Sequence, residues 1–173
     1  LKLGFSTFFL NRTNFSGIIK AGVIGGTEQK GKWKIDARFN KKDLILKIKN
    51  IASHRNQINI RNLDAVELIN SLKDELPEKT LFFFDPPYYV KGKDLYLNYY
   101  EDKEHKEVKE ALNEITKQKW VLTYDNEHFI SNLYESYRSK RYTLSYSVLK
   151  AKKGNELIIF SNNTKIVDCP IIC

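Results

Sequence analysis

Leu81-Phe82-Phe83-Phe84 runs straight into Asp85-Pro86-Pro87-Tyr88-Tyr89, and few folds accept that junction. A short, continuous apolar run stopped by breakers reads as a strand buried on both faces. Neither proline can donate to a sheet ladder, and the residue before each is pushed into extended geometry. The pattern therefore predicts a central strand over 81–84, with Asp85 at its carboxyl end and a stiff loop beyond it. In open α/β sheets, ligands bind at that end of the strands. A carboxylate held beside a backbone carbonyl that no ladder uses gives two acceptors aimed at one point. An exocyclic amine has two N–H donors to match them, and Tyr88 offers a flat face on which a base could stack. The plainer alternative is a strand ending in a Pro-Pro turn with an acidic cap. The aromatic strand before the motif and the phenol after it favour the chemical reading.

The rest of the chain alternates helical and strand periods around this junction. Leu1–Leu10 is apolar and aromatic, a strand or the last turn of a helix, and Asn11–Gly17 reads as a turn. Residues 20–40 are rich in glycine, with Lys20, Lys30, Lys32, Lys34 and Arg38 interspersed and Trp33 among them. Flexible backbone with basic side chains suits a loop that follows a nucleic-acid groove; a solvated hairpin is the alternative. Lys41–Ser53 predicts a helix that buries Leu44, Ile45, Ile48 and Ile51. Gln57–Leu63 alternates as a strand, and Asp64 is placed to cap a helix over 65–72. Val90–Glu101 mixes tyrosine with Lys91 and Lys93, a composition that suits an extruded base and its backbone. Asp102–Lys119 predicts the clearest helix, with Val108, Ala111, Leu112 and Ile115 on its buried stripe and His105 beside them. Trp120–Tyr124 reads as a second buried strand, with Asp125 or Asn126 capping the next helix, whose stripe is Phe129, Ile130, Leu133 and Tyr137. Tyr142–Val148 and Leu157–Ser161 read as strands around a basic turn at Lys150–Asn155. The fold class is α/β: a mostly parallel sheet with helices on both faces and a terminal antiparallel hairpin.

Charge narrows the partners. The 173 residues carry a net +8, which favours a polyanion, because each cation set against a phosphate releases counterions. No apolar run approaches the roughly twenty residues that a membrane span needs. Leu1–Leu10 has neither the length nor the cleavage site of a secretory leader. Cys169 and Cys173, with no histidine near them, make a poor metal site and read as reduced thiols. These features predict a cytoplasmic protein with no bound metal.

Asp85-Pro86-Pro87-Tyr88 resembles the Asp-Pro-Pro-Tyr motif of DNA adenine-N6 methyltransferases. Asn11–Gly17, Asn62-Leu63-Asp64, Trp120–Asp125 and Glu156–Ser161 follow the order of the Dam-like class. The resemblance implies part of a Rossmann-like sheet dependent on S-adenosylmethionine, plus a small target-recognition insert. Residues 1–56 would hold the recognition region and a connecting helix, and 57–173 the C-terminal part of the catalytic domain. Asp85, Pro86, Pro87 and Tyr88 would be catalytic. Asn62, Leu63, Asp64 and Asp85 would hold the cofactor. Asn11, Arg12, Lys30, Lys32, Lys34, Arg38, Lys91, Lys152 and Lys153 would face double-stranded DNA. The family's Phe-x-Gly-x-Gly loop and the lysine-containing segment before it are absent, so weak or no cofactor binding is expected of this chain alone, and a missing N-terminal half of the same enzyme is a candidate partner. The alternative implied is an inactive remnant or a DNA-binding module without turnover. Methylation of RNA or of a protein amide ranks lower, since amide-modifying relatives carry Asn where this chain has Asp85.

Overall fold

The computed structural model describes residues 1–90, 99–146 and 152–166, with backbone alone at 144–146 and 152–153. The chain divides into two compact units, Leu1–Asn62 and Leu63–Cys173.

The first unit opens with a full helix, α1 (Lys2–Thr13), where the sequence left strand and helix end both open. A turn follows, with Ser16 at φ 56° and Gly17 at φ 76°. A side chain at Gly17 would lie 2.9 Å from Asn11 Nδ2, which donates to the Gly17 carbonyl at 3.0 Å. The glycine-rich stretch is not a regular hairpin: its only bridge among the described residues joins Asn14 to Val23. It is tied up by Gln29, whose Nε2 donates to Ile24 O at 2.8 Å and Gly26 O at 2.7 Å. Gln29 Oε1 in turn accepts from Ile35 N at 2.8 Å. The predicted helix forms as α2 (Lys41–Ser53), but its apolar stripe is not buried. Leu44 is half-buried, while Ile45, Ile48 and Ile51 are exposed. Periodicity reports which face can be buried, and burial itself requires a partner surface. The expected strand at 57–63 is likewise not one. A 3₁₀ turn covers Arg55–Gln57, and 58–63 has no ladder partner among the described residues.

The second unit carries the sheet and the core. Its helices are α3 (Ala65–Leu72), α4 (Asp102–Asn113) and α5 (His128–Leu133), and its strands β1 (Leu81–Phe84), β2 (Lys119–Asp125), β3 (Arg138–Tyr146) and β4 (Lys152–Phe160). Asp64 Oδ1 accepts from Val66 N at 2.8 Å, so α3 starts at the expected cap. Helix α4 begins with a capping box between Glu101 and Glu104. It stops short of the predicted 119 because the amides of Glu114 and Ile115 bond back three residues, to Ala111 and Leu112, a tightening that closes a helix end.

Strand order is β1-β2-β4-β3. Only β1 and β2 are parallel; β2–β4 and β4–β3 are antiparallel. The terminal antiparallel hairpin forms, but with longer strands than expected: β3 starts at Arg138, and residues 152–155, read as part of the basic turn, are paired in β4. The described sheet is mixed rather than mostly parallel. Trp120, Leu122, Tyr124, Leu157 and Ile159 share one face and are buried with Ile69, Val108, Ala111, Leu112, Ile115, Ile130 and Tyr134. The other face is less covered: Phe83 is 63% exposed, and Val121, Ile158 and Phe160 are half-buried. This corrects the reading of 81–84 as a central strand covered on both sides. Among the described residues β1 pairs with β2 alone, at the edge. Phe82 and Phe84 turn to the core face, stacked with ring centroids 5.7 Å apart, while Leu81 and Phe83 face outward.

Candidate active site

Parallel register builds the site. Phe84 pairs with Leu122, so Asp85 leaves the end of β1 beside Thr123, which stays in β2 paired with Ile158 of β4. Thr123 Oγ1 donates to Asp85 Oδ1 at 2.7 Å and lies 3.3 Å from Phe84 O. Asp85 is exposed, and Pro86, Pro87, Tyr88 and Tyr89 are half-buried. The carboxylate is thus steered through one oxygen and open to an approaching donor. Among the described residues no hydrogen bond engages the Pro86 carbonyl.

Asp125 holds the far end of the motif. It is 2% exposed, and its two oxygens accept from the amides of Tyr89 and Val90, each at 2.9 Å. The expectation that Asp125 or Asn126 caps the following helix is overturned, since the N-cap of α5 is Glu127 without a side-chain cap. The prolines supply no N–H, so the first amides of the loop that can be gripped in this way lie beyond Pro87.

Tyr88 is fixed from the hairpin. Its hydroxyl donates to Glu156 Oε2 at 2.9 Å, and Tyr142 donates to the same oxygen at 2.7 Å. Burial first, then the bond to Glu156, then the charges of Glu156 and Asp85 push both phenols far above the usual range, so both stay donors. Thr123, Asp125, Tyr142 and Glu156 were not assigned these roles from sequence. The one visible signal was polar residues inside apolar strand runs.

Behind the motif, His105 is fully buried, as a packing role requires. It shares a 2.8 Å hydrogen bond between Nδ1 and the Tyr124 hydroxyl. Tyr89, Tyr100, Tyr124 and Phe129 surround its ring. Tyr89 also stacks on Phe129 at 4.6 Å and donates to Asp102 at 3.0 Å. Burial lowers the His105 pKa against the opposing pull of Asp125, Asp102 and Glu104. The unfolded chain therefore takes up a proton, near pH 6.5 and below, that the folded chain refuses until lower pH. Stability should fall as pH drops below about 6.5, with a slope from this group approaching 1.4 kcal/mol per pH unit. Urea unfolding at a series of pH values checks this: His105→Gln should flatten the acid limb, and an unchanged limb would remove His105 as its source.

The remaining sequence candidates are dispersed in role. Asn62, Leu63 and Asp64 are exposed, and one Asp64 oxygen is engaged by the α3 cap. In the first unit, Arg12 Nε donates to Arg38 O at 2.9 Å, an internal tie rather than a free contact. Lys30 pairs with Glu28 at 3.0 Å, Lys32 sits 5.5 Å over the ring of Trp33, and Lys34 donates to Gln29 O. Lys152 and Lys153 lie on β4 opposite Tyr146 and Ser145, their side chains outside the description. Lys91, Lys93, Lys150 and both cysteines lie outside the described residues.

Residues 4–150 match the family described as D12 class N6 adenine-specific DNA methyltransferase. The chain belongs to that family. No individual curated protein matches it. The matched span includes Asp85, Thr123, Asp125 and Tyr142 and ends before Glu156. Among the described residues of this methyltransferase-family chain, no helix is long and apolar enough to cross a membrane, and no cluster of His, Cys, Asp or Glu could hold a metal.

Proposed function

We propose that this chain supplies the base-binding part of a cytoplasmic enzyme that methylates N6 of adenine at a specific sequence in double-stranded DNA, with S-adenosylmethionine as donor. The observation that carries the reading is Asp85: exposed, steered by Thr123, and followed by a proline carbonyl with no described partner. The adenine amine is a poor nucleophile because its lone pair is delocalised into the ring. The Asp85 carboxylate and the Pro86 carbonyl accept its two hydrogens, which draws the nitrogen toward tetrahedral geometry and localises the lone pair. Positioning and electrostatics supply most of the acceleration. When bound, S-adenosylmethionine supplies an electrophilic methyl group on sulfonium. The base leaves the duplex first, and Tyr88 stacks on it to offset the lost stacking.

The residues present fit that cofactor only in part. Asn62, Leu63 and Asp64 are exposed at the positions that the resemblance gives to its adenosine end. The aromatic-glycine loop for its methionine end is not in this sequence. Isothermal titration of the chain alone with S-adenosylmethionine should give no saturable binding in the micromolar range, and a micromolar dissociation constant would overturn this. Among the described residues the outer edge of β1 has no paired strand, and with Leu81 60% and Phe83 63% exposed it suits a further strand from a segment that carries the loop.

Gel-shift of the chain on duplex DNA over a salt series tests the nucleic-acid side. The affinity should fall log-linearly with salt, by a slope of about 0.9 per phosphate contacted, and one sequence should be retained preferentially at high salt. Assembled with a loop-bearing segment, the chain should form N6-methyladenine in that sequence. DNA binding without methylation in the assembled form favours the second reading, a DNA-binding module without turnover. No salt-dependent binding at all sinks both.

A further inference from the structure

Glu156 is 0% exposed. None of the ion pairs among the described residues includes it. Taking a carboxylate out of water without a counter-cation costs several kcal/mol, and an apolar residue at this strand position would avoid that cost. The acid is held by phenols instead. Oε2 accepts two hydroxyls, from Tyr88 and Tyr142, while Oε1 is buried with no hydrogen-bond partner among the described residues. Half of the group is therefore left unsatisfied.

What this arrangement secures is visible in where the two phenols come from. Tyr142 lies on β3 directly across the ladder from Glu156, so that bond is local to the hairpin. Tyr88 comes from the motif loop, 68 residues away in sequence. Asp125 stands opposite Glu156 on the other side of β4, and its two oxygens grip Tyr89 and Val90. Two adjacent acids on neighbouring strands thus hold successive residues of one loop: Asp125 holds backbone, and Glu156 holds a side chain. Pro86 and Pro87 stiffen the same loop at its start.

We infer that Glu156 is a positioning residue for Tyr88, which fixes the phenol ring through its hydroxyl so that one ring face stays presented beside Asp85. The assignment of that face to a target adenine rests on the reading proposed above; the clamp itself does not. Glu156 acts through Tyr88 and touches no reacting atom. Tyr142 shares the carboxylate oxygen and sets the position of the acid.

The test uses the whole chain with ¹³C-labelled tyrosine rings and three variants: Tyr88→Phe, Glu156→Leu and Glu156→Gln. In the parent protein the Tyr88 ring should flip slowly. Tyr88→Phe, read with labelled phenylalanine, and Glu156→Leu should speed flipping at that position at least about tenfold. Glu156→Gln keeps an oxygen that can accept the phenols, so it should restore slow flipping. Duplex DNA carrying 2-aminopurine at the target position adds the second readout. Quenching by an enforced stack should be strong in the parent and in Glu156→Gln, and weaker by several-fold in Tyr88→Phe and Glu156→Leu. If Glu156→Leu does not fold, Tyr88→Phe decides alone, since it removes only one hydroxyl. Unchanged ring flipping in Tyr88→Phe overturns the inference. Faster flipping with no 2-aminopurine signal in any form, the parent included, upholds the clamp and counts against the adenine reading instead.

Discussion

Asp85→Ala is expected to lower methyl transfer to adenine by about a thousandfold or more in the assembled enzyme, with little change in stability. Loss of one preorganised hydrogen-bonding group at a reacting centre costs on the order of 10²–10³ in rate. Here the lost group is an ionised acceptor, whose bonds are stronger than neutral ones. The fold loses little, because Asp85 is exposed and makes one described bond, from Thr123, whose hydroxyl also lies 3.3 Å from Phe84 O. Asp85→Asn separates charge from shape. Its amide oxygen can still meet Thr123, but its N–H₂ group faces the donors of the substrate amine, so the rate should fall nearly as far. The measurement is single-turnover transfer of labelled methyl to duplex DNA, beside urea unfolding of each variant. Transfer by Asp85→Ala within tenfold of the parent, at unchanged stability, would end the proposed mechanism.

Much of this site was legible because its signals are local. The Asp64 cap, the stripe of α4 and strand β2 each show in a few consecutive residues. The terminal hairpin shows as two alternating runs around a short polar turn. What failed were statements about neighbours. An apolar run says that 81–84 extends, but not which strands lie beside it, so a central strand and an edge strand with two exposed residues look alike. The stripe of α2 is regular in sequence and still exposed. Thr123 and Glu156 acquire their roles only through register, across 38 and 68 residues of chain. Asp125 misled for a related reason. An aspartate just before a helix has the pattern of a cap, and nothing nearby in sequence shows that two amides 35 and 36 residues upstream lack acceptors.

That same acid carries the second large effect. Asp125→Ala should cost roughly 2–4 kcal/mol of stability, because it removes the one acid that accepts from both the Tyr89 and Val90 amides, in part-buried bonds. Each buried N–H left without a partner costs about 1–3 kcal/mol, and the bonds lost are charge-assisted. At a urea slope of about 1–3 kcal/mol per molar, the midpoint should fall by one molar or more. Asp125→Asn keeps one acceptor and turns an N–H₂ group toward the second amide, so its loss should be intermediate. Hydrogen exchange resolves where the damage lies: the Tyr89 and Val90 amides, protected in the parent, should exchange far faster in Asp125→Ala than those of Leu122 or Ile159 in the core. The pairing of outcomes matters. A loop that keeps its protection without Asp125 must be held by the prolines and Tyr88 alone, and Asp85 would then owe its position to Thr123 only. A loop that loosens while β2 and β4 stay protected shows that the carboxyl end of β2, more than the stiffness of Pro86-Pro87, keeps the motif in the geometry that an amine would meet.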